Sequence, residues 1–161
     1  TARHGRIFRL MGDAFLAEFP SAVGAVLWAA EIQQAMATRE APLPEAARLR
    51  LRIGVHMGDV LPQGDDLMGD GVNIAARLEG VAEPGGIAVS AAVAEAARGK
   101  LPLALEDGGE TALKNIHHPV PIWRWSPGSA ARHSAAAPEI AAAPMADARP
   151  RVAVLPFDSM V

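Results

Sequence analysis

Residues 49–61, LRLRIGVHMGDVL, alternate between apolar side chains and polar or small ones. A period of two is the pattern of a β-strand that buries one face, so Arg50 and Arg52 should point away from the core. Gly58–Asp59 supplies the residue types of a turn into a further short strand at 60–61. Because an isolated strand or hairpin is at best marginally stable in water, the chain must build a sheet. The inward-facing positions are Leu49, Leu51, Ile53 and Val55.

Other segments supply partners for this strand. Residues 6–19, RIFRLMGDAFLAEF, are two apolar runs around Gly12–Asp13, which predicts a β-hairpin. Further strands are predicted at 87–90, near 103–106 and at 120–125. At least one hairpin among strands and helices indicates an α+β fold, a sheet with helices packed on one face.

Helices are predicted at three places along the chain. The first is predicted to begin after Pro20–Ser21, with Ser21 as a candidate N-cap. The stretch 38–47 contains two prolines and should be a loop. A loop at 62–69 then leads into a second helix over about 70–81, with Asp70 as a candidate N-cap. A short alanine-rich helix should cover 91–98.

The composition changes after Trp125. Residues 126–149 are Ala/Pro-rich with almost nothing to bury, which predicts a flexible linker between a domain at 1–125 and a new strand at 151–157. We interpret 150–161 as the beginning of a second domain. The chain begins without Met and stops directly after this apolar run, so we expect it to be a fragment.

Bulk properties exclude several classes of protein. The 161 residues contain no cysteine, which rules out disulfides and thiolate chemistry, and the net charge of −3 argues against a nucleic-acid surface. No secretory signal and no membrane-length apolar run is present, so we expect a cytoplasmic protein without a membrane segment in this stretch.

The stretch GDDLMGDGVNIAARLE, residues 64–79, carries the first sign of a chemical site. Asn73 and Arg77 lie one helical turn apart, behind glycines whose free N–H groups would favour an anion. Arg77 suits phosphate oxygens, and Asn73 can orient a sugar. Asn73 as an ordinary first-turn residue and Arg77 as a solvated charge fit the same helix equally well. A dinucleotide-binding fingerprint fits worse, since its third glycine is absent.

Asp13 lies at the tip of the predicted hairpin. Gly-Asp pairs are most often plain turns, and a carboxylate at such a tip can also bind a divalent ion beside a nucleotide. One acid alone leaves both interpretations open.

Together these segments and LKNIHHPV at 113–120 resemble the catalytic domain of class III nucleotidyl cyclases, in particular bacterial adenylate cyclases. The resemblance runs from residue 3 to about 125 and keeps several separate motifs in order. It implies a ferredoxin-like sheet with helices packed on it. The terminal RVAVLPF resembles, more weakly, the opening strand of TolB-like segments.

The resemblance implies that ATP is converted to cyclic AMP and pyrophosphate with the help of two divalent ions, Mg²⁺ or Mn²⁺. It assigns one role to each of six residues: metal ligand to Asp13, ribose positioning to Asn73, stabilisation of α-phosphate charge to Arg77, binding of the outer phosphates to Lys114, and adenine recognition to Asp66 and Arg9. It also implies a head-to-tail homodimer, in which Asp13 comes from one subunit and the other five residues come from its partner.

Three departures from the family pattern matter. Arg9 stands where adenylate cyclases carry a lysine, and Ala14 replaces a common glycine. The family's first strand, a central member of the sheet with the other metal aspartate, would precede this chain. We therefore expect the fragment by itself to be essentially inactive.

Two alternatives to an adenylate cyclase follow from the same residues. A catalytically silent nucleotide-binding or dimerisation module would be consistent with Arg9, but has no reason to keep the other site residues. A guanylate cyclase is disfavoured by Asp66 and by the basic residue at position 9. We expect His56 to be a packed core histidine and not a catalytic base or a metal ligand.

Overall fold

A computed structural model describes residues 5–11, 14–63, 66–114, 116, 118–129 and 151–156, with backbone alone at 9–11, 61–63, 66–68 and 151–156. The strands in this part are β1 (Arg6–Met11), β2 (Ala14–Phe19), β3 (Ile53–Met57), β4 (Leu61–Gln63), β5 (Asp66–Met68), β6 (Ile87–Ser90), β7 (Glu106–Thr111), β8 (Val120–Trp125) and β9 (Arg151–Pro156). The α-helices are α1 (Ala22–Glu40), α2 (Asp70–Val81) and α3 (Ala91–Ala97), and Glu45–Ala47 form a 3₁₀ turn.

Seven strands form one mixed sheet in the order β1-β2-β9-β3-β6-β8-β7, and β4 pairs with β5 in a separate hairpin. The β3–β6 pair is parallel, and all the other neighbours in the large sheet are antiparallel. The predicted α+β class and the hairpin over 6–19 are confirmed, since β1 and β2 pair across the two residues between Met11 and Ala14.

Helices cover both faces of this sheet, so the expectation of helices on one face was wrong. Ile53 and Val55 of β3 belong to the core under α1 and α3, while Gly54 between them faces α2. Leu78 and Ala75 of α2 belong to two smaller clusters on that second face. A parallel β3–β6 pair requires a crossover, and α2 makes that crossover on the face opposite α1.

The first helix starts where the sequence predicts and ends later. The Gly24 N–H donates to the Ser21 side-chain oxygen at 3.3 Å, which is the predicted N-cap. The helix continues to Glu40, so the expected loop at 38–47 shrinks to a short connection with a 3₁₀ turn at 45–47. Buried Gln33 donates from its amide nitrogen to the carbonyls of Leu51 (3.0 Å) and Gly86 (2.7 Å), which ties α1 to the loops before β3 and β6.

Three strand predictions need correction. The alternation over 49–61 produces a regular strand only at 53–57, and Leu49 is 37% exposed although Leu51, Ile53 and Val55 are buried. The expected loop at 62–69 contains the β4–β5 hairpin. The strand expected near 103–106 begins at Glu106 and runs to Thr111, because the segment before it packs its leucines irregularly against the core.

The strand expected at 151–157 forms at 151–156, and its position was not foreseen. β9 lies between β2 and β3 inside the large sheet and pairs antiparallel with both. The assignment of 150–161 to a second domain stays a prediction, as does the linker over 126–149. In the described part of the chain, no helix is both long enough and apolar enough to cross a membrane.

Candidate active site

Helix α2 presents the first two candidate residues. It spans Asp70–Val81, as the sequence predicts, but its N-cap is Gly69 and not Asp70. Gly69 has φ 135°, a region that side-chain-bearing residues rarely adopt, and it offers no side-chain acceptor to the helix. The Gly69 carbonyl accepts the Val72 N–H at 3.2 Å, so the residue before the helix caps α2 through its backbone alone.

Close backbone contacts hold α2 in place. A Cβ at Gly54 would lie 2.2 Å from the Ala75 carbonyl oxygen and 2.4 Å from the Glu79 nitrogen, so only glycine lets β3 and α2 approach this closely. At the start of the helix, a Cβ at Gly69 would lie 2.9 Å from the Asp59 carbonyl oxygen. The sequence analysis did not single out Gly54, although a glycine inside an apolar strand is a known signal of close backbone approach.

Asn73 and Arg77 lie one turn apart on α2. Asn73 is exposed and Arg77 is half-buried. Neither forms a hydrogen bond or ion pair with another described residue, whereas most arginines in this part of the chain have such partners. A half-buried guanidinium and a neighbouring amide on a rigid helix can bind an oxyanion and a hydroxyl.

The backbones of β5 and β1 bring Asp66 and Arg9 to the same region. Asp66 opens β5, and β5 contacts both α2 and β1. Arg9 lies where the β1–β2 register shifts by one residue, between Ile7 and Leu10. Such bulges commonly re-aim side chains beside functional sites. The backbone therefore places Asp66 on a strand that contacts α2, and Arg9 on a strand that contacts β5, but neither side chain is among those described.

Lys114 follows a residue that anchors its segment to α2. Leu113 is buried in the same cluster as Leu78, the neighbour of Arg77, and Ile116 packs against that cluster. Lys114 itself is exposed and has no hydrogen bond or ion pair with another described residue. Its segment is therefore attached to the base of the helix that carries Asn73 and Arg77.

The predicted metal ligand Asp13 lies outside the described residues, between Met11 of β1 and Ala14 of β2. No cluster of three histidine, aspartate or glutamate side chains suited to a metal ion occurs within the described ranges. The carboxylate of an aspartate is an oxygen donor of the kind that Mg²⁺ and Mn²⁺ prefer.

His56 pairs with a residue of the neighbouring strand β6. Its Nδ1 lies 3.0 Å from the Ser90 hydroxyl oxygen. Gly58 lies close to both His56 and α2, since a Cβ there would lie 3.0 Å from the His56 Nε2 and 3.3 Å from the Gly71 Cα. Burial lowers the pKa of His56 below its usual 6.5, which favours the neutral ring. The expected packed histidine is thus half-buried and hydrogen-bonded to Ser90.

The sequence matches one protein family over most of its length. The sequence profile of the adenylate and guanylate cyclase catalytic domain matches residues 6–122. The Rhizobium meliloti protein named "Putative adenylate cyclase 3" is 48% identical over 158 residues, which are 97% of this chain. The chain spans 26% of the length of that relative.

Two solved structures of cyclases have a similar fold. The crystal structure of an adenylate/guanylate cyclase/hydrolase from Silicibacter pomeroyi matches with a TM-score of 0.74 and 40% identity, over 80% of this chain and 76% of that one. A Trypanosoma brucei adenylate cyclase, determined in its monomeric state, matches with a TM-score of 0.62 and 23% identity over 76% and 71% of the two chains. At that identity the second likeness concerns the fold alone.

Proposed function

The chain belongs to the adenylate and guanylate cyclase catalytic domain family, and on that premise we propose that it carries the substrate-binding and catalytic residues of an adenylate cyclase. Its substrate is ATP, and its products are cyclic AMP and pyrophosphate. The observation that carries the proposal is the Asn73–Arg77 pair, one turn apart on a helix locked to the sheet at Gly54. Neither side chain has a hydrogen bond or ion pair with another residue in the described part of the chain.

The proposed reaction is an intramolecular displacement at phosphorus. The ribose 3′-oxygen attacks the α-phosphorus and forms a new P–O bond, while the bond to the bridging oxygen of the β-phosphate breaks. The 3′-hydroxyl proton leaves to solvent, and pyrophosphate departs with the electron pair of the broken bond. Asn73 holds the ribose for in-line attack, and Arg77 stabilises the charge that develops on the α-phosphate.

Binding of the rest of the nucleotide falls to other residues. Lys114 neutralises the β- and γ-phosphates, and Asp66 and Arg9 contact the adenine ring. Asp13, as a hard oxygen donor, would hold the divalent ions, which neutralise phosphate charge and lower the pKa of the attacking hydroxyl when bound. Arg9 stands where adenylate cyclases carry a lysine, and its planar guanidinium is bulkier and less adaptable than an ammonium group. We therefore propose weaker discrimination between ATP and GTP than a lysine would give.

The test measures cyclic AMP and cyclic GMP production from ATP and GTP with Mg²⁺ or Mn²⁺. It uses the chain as given and a longer version with a cyclase first strand fused ahead of residue 1. We expect cyclic AMP from the longer version, and Arg77→Ala should lower its rate about 10²- to 10³-fold. Arg98→Ala, which changes an arginine with a 74% exposed side chain directly after α3, is the matched control and should change little. Unchanged activity in Arg77→Ala would contradict the proposal.

We further propose that the site is shared between two copies of the chain, with Asp13 from one and Asn73 from the other. Each of the variants Asp13→Ala and Asn73→Ala, made in the longer version with its first strand, should then be inactive alone. Mixing them should restore about a quarter of the wild-type rate, because half of the dimers are mixed and each mixed dimer has one intact site. No recovery on mixing, in proteins shown to form dimers, would rule out the shared site.

A silent regulatory module is the second candidate, and Arg9 is the residue that favours it. Such a module would bind ATP through Asn73, Arg77 and Lys114 without forming a cyclic product. Binding measured by calorimetry separates the two proposals: ATP affinity lost in Lys114→Ala but kept in Lys100→Ala, with no product under any metal condition, would favour the silent module.

A further inference from the structure

A pocket of about 310 Å³ opens at the C-terminal end of α1. The described residues that line it come from the last turns of α1, from 48–51 before β3, from 83–85 before β6, and from 126–127 after β8. These segments lie outside the β1–β2 hairpin and outside β9, and they carry none of the residues assigned to the proposed reaction. A pocket of this volume has the size of a small-molecule site.

Glu40 is the buried charge of this pocket. Its side chain is 7% exposed, and its Oε2 accepts the Leu49 N–H at 3.0 Å. Its ion pair with Arg39 is long, because 3.8 Å separate Oε1 from the Arg39 Nε, and the Arg39 side chain is 78% exposed. That distance is beyond a hydrogen bond. The hydrogen bond from Leu49 therefore satisfies one carboxylate oxygen, and Oε1 has no such close donor among the described residues.

The position of Glu40 on α1 makes its negative charge more costly. It is the last residue of the helix, where the free carbonyl groups and the helix dipole disfavour an anion. Moving a carboxylate out of water also costs free energy unless hydrogen bonds or an opposite charge compensate for the loss. A cation beside Oε1 would offset both costs.

Two arginines line the same pocket, but their described partners are other groups. Arg48 uses all three of its side-chain nitrogens, for two main-chain carbonyls just after α1 and for the Glu45 carboxylate. Arg50 pairs with the other oxygen of Glu45. Neither arginine forms an ion pair with Glu40 in the part of the chain that the structure describes. The cation that would complete Glu40 must therefore come from a ligand.

The rest of the lining indicates what kind of cation this is. Its larger apolar residues are Met36, Leu49, Leu51, Pro84 and Pro127. An apolar wall beside one buried carboxylate suits an organic molecule with an apolar body and one cationic end. A divalent metal ion fits less well, because it requires several oxygen ligands, and the described residues contain no cluster of three acids or histidines suited to a metal.

We infer that the pocket at the end of α1 binds a small primary amine with an apolar body, and that the ammonium group of this ligand pairs with Glu40. The ammonium donates to Oε1, while Oε2 keeps its bond from the Leu49 N–H. The apolar body lies against the wall formed by the leucines and prolines. The inference does not rest on the proposed reaction, because ligand binding is measured without ATP and without product formation.

A titration followed by NMR tests the site in the longer version of the chain with its first strand. The probe is 2-phenylethylamine, and 2-phenylethanol is an uncharged molecule of matching shape. We expect the amine to shift the Leu49 amide signal with a Kd of about 0.1–1 mM, and to bind at least about 10-fold more tightly than the alcohol. Equal affinities, or no saturable shift with the amine, would overturn the inference.

Glu40→Gln tests the role of the charge. The substitution removes the negative charge and keeps an oxygen that can accept the Leu49 N–H, so amine binding should weaken about 10-fold or more while alcohol binding stays unchanged. Glu95→Gln changes a glutamate of α3 with a 69% exposed side chain and is the matched control, which should bind the amine as the wild type does. Unchanged amine affinity in Glu40→Gln would overturn the pairing with Glu40.

A blocking variant keeps the test decisive if Glu40→Gln does not fold. Ala37 lines the pocket and is exposed on α1, so Ala37→Phe should fill the space and abolish binding without disturbing the core. Thr38→Phe places the same ring on the next exposed residue of the helix, outside the lining described above, and should leave binding unchanged. Amine binding that persists in Ala37→Phe would show that the ligand lies elsewhere.

Discussion

The two parts of the sheet on either side of β9 are held in different ways. On one side, β3, β6 and β8 pair directly, and α2 is locked onto β3 through Gly54, where a Cβ would lie 2.2 Å from the Ala75 carbonyl oxygen. On the other side, the β1–β2 hairpin is attached through β9 and through the contacts of Trp28 with β2. The first side carries Asn73 and Arg77, and the second carries Arg9 and the turn with Asp13.

For the proposed reaction, this difference bears on what a phosphate-transfer site needs. Groups that hold the sugar and the α-phosphate would need a rigid platform, since small displacements cost large factors in rate. Close backbone contacts between β3 and α2, which are far apart in sequence, give the α2 side this rigidity. The β1–β2 hairpin pairs instead with β9, whose residues lie far along the chain from it.

The largest effect should come from breaking the aromatic attachment of the hairpin. Trp28→Ala removes a side chain that is 8% exposed and packs against Phe15 and Phe19. We expect a loss of about 3–5 kcal/mol in the free energy of unfolding, measured by urea denaturation. Exchange of the β2 amides should rise more than exchange of the β6 amides. Ile32→Ala, a partly buried residue on the same helix, should cost less, and an equal loss would contradict the special role of Trp28.

A somewhat smaller loss is expected on the α2 side. Gly54→Ala forces α2 away from β3 and should lower the free energy of unfolding by about 1–3 kcal/mol. It should also weaken ATP binding, because Asn73 and Arg77 move with the helix. Gly80→Ala is the control within α2, since a Cβ there meets no atom within 4 Å, and it should be neutral or slightly stabilising. Equal effects of the two substitutions would refute the close contact.

Gln33 links α1 to the loops before β3 and β6. Gln33→Leu leaves the carbonyls of Leu51 and Gly86 without their side-chain donor in a buried position, so we expect a loss of about 1–3 kcal/mol in denaturation experiments. Gln34→Leu changes the neighbouring exposed glutamine and should shift stability by less than about 0.5 kcal/mol. If both variants unfold at the same urea concentration, the two hydrogen bonds from Gln33 to these carbonyls contribute nothing measurable to the free energy of unfolding.

The smallest effect should be a pH dependence from His56. Because burial lowers its pKa in the folded protein below the usual 6.5, the unfolded chain binds the proton more readily. The stabilising contribution of neutral His56 is therefore complete above about pH 6.5 and is lost as the pH falls through the lowered pKa of the folded state. His56→Gln should flatten the fall in stability measured between pH 7 and pH 5. His118→Gln, an exposed histidine, should leave that slope unchanged.

Much of the local structure was predictable from short patterns. The hairpin over 6–19, the cap at Ser21, helix α2 and strand β8 were predicted close to their observed bounds. Turn residues, helix caps and hydrophobic periodicity depend on residues only a few positions apart, so the sequence alone can predict them. Among the site residues, the one-turn spacing of Asn73 and Arg77 could also be predicted from the local sequence. Their proposed roles came from the family resemblance.

The errors share a different origin. The end of α1, the exposure of Leu49 and the β4–β5 hairpin depend on what the rest of the chain packs against these segments. The placement of helices on both faces also could not be deduced from the amphipathic pattern of α2, because that pattern states which side of a helix is buried but not against which face of the sheet.

The sequence by itself determined most of the segments that become strands and helices, where α1 begins, and that an amide and a guanidinium share one face of α2. Only the tertiary structure decided that Gly54 lies against α2, that β5 stands beside β1, and that residues 151–156 lie between β2 and β3. Strand pairing is made by main-chain N–H and C=O groups that every residue but proline carries. Side-chain patterns can therefore predict a strand without specifying its partner.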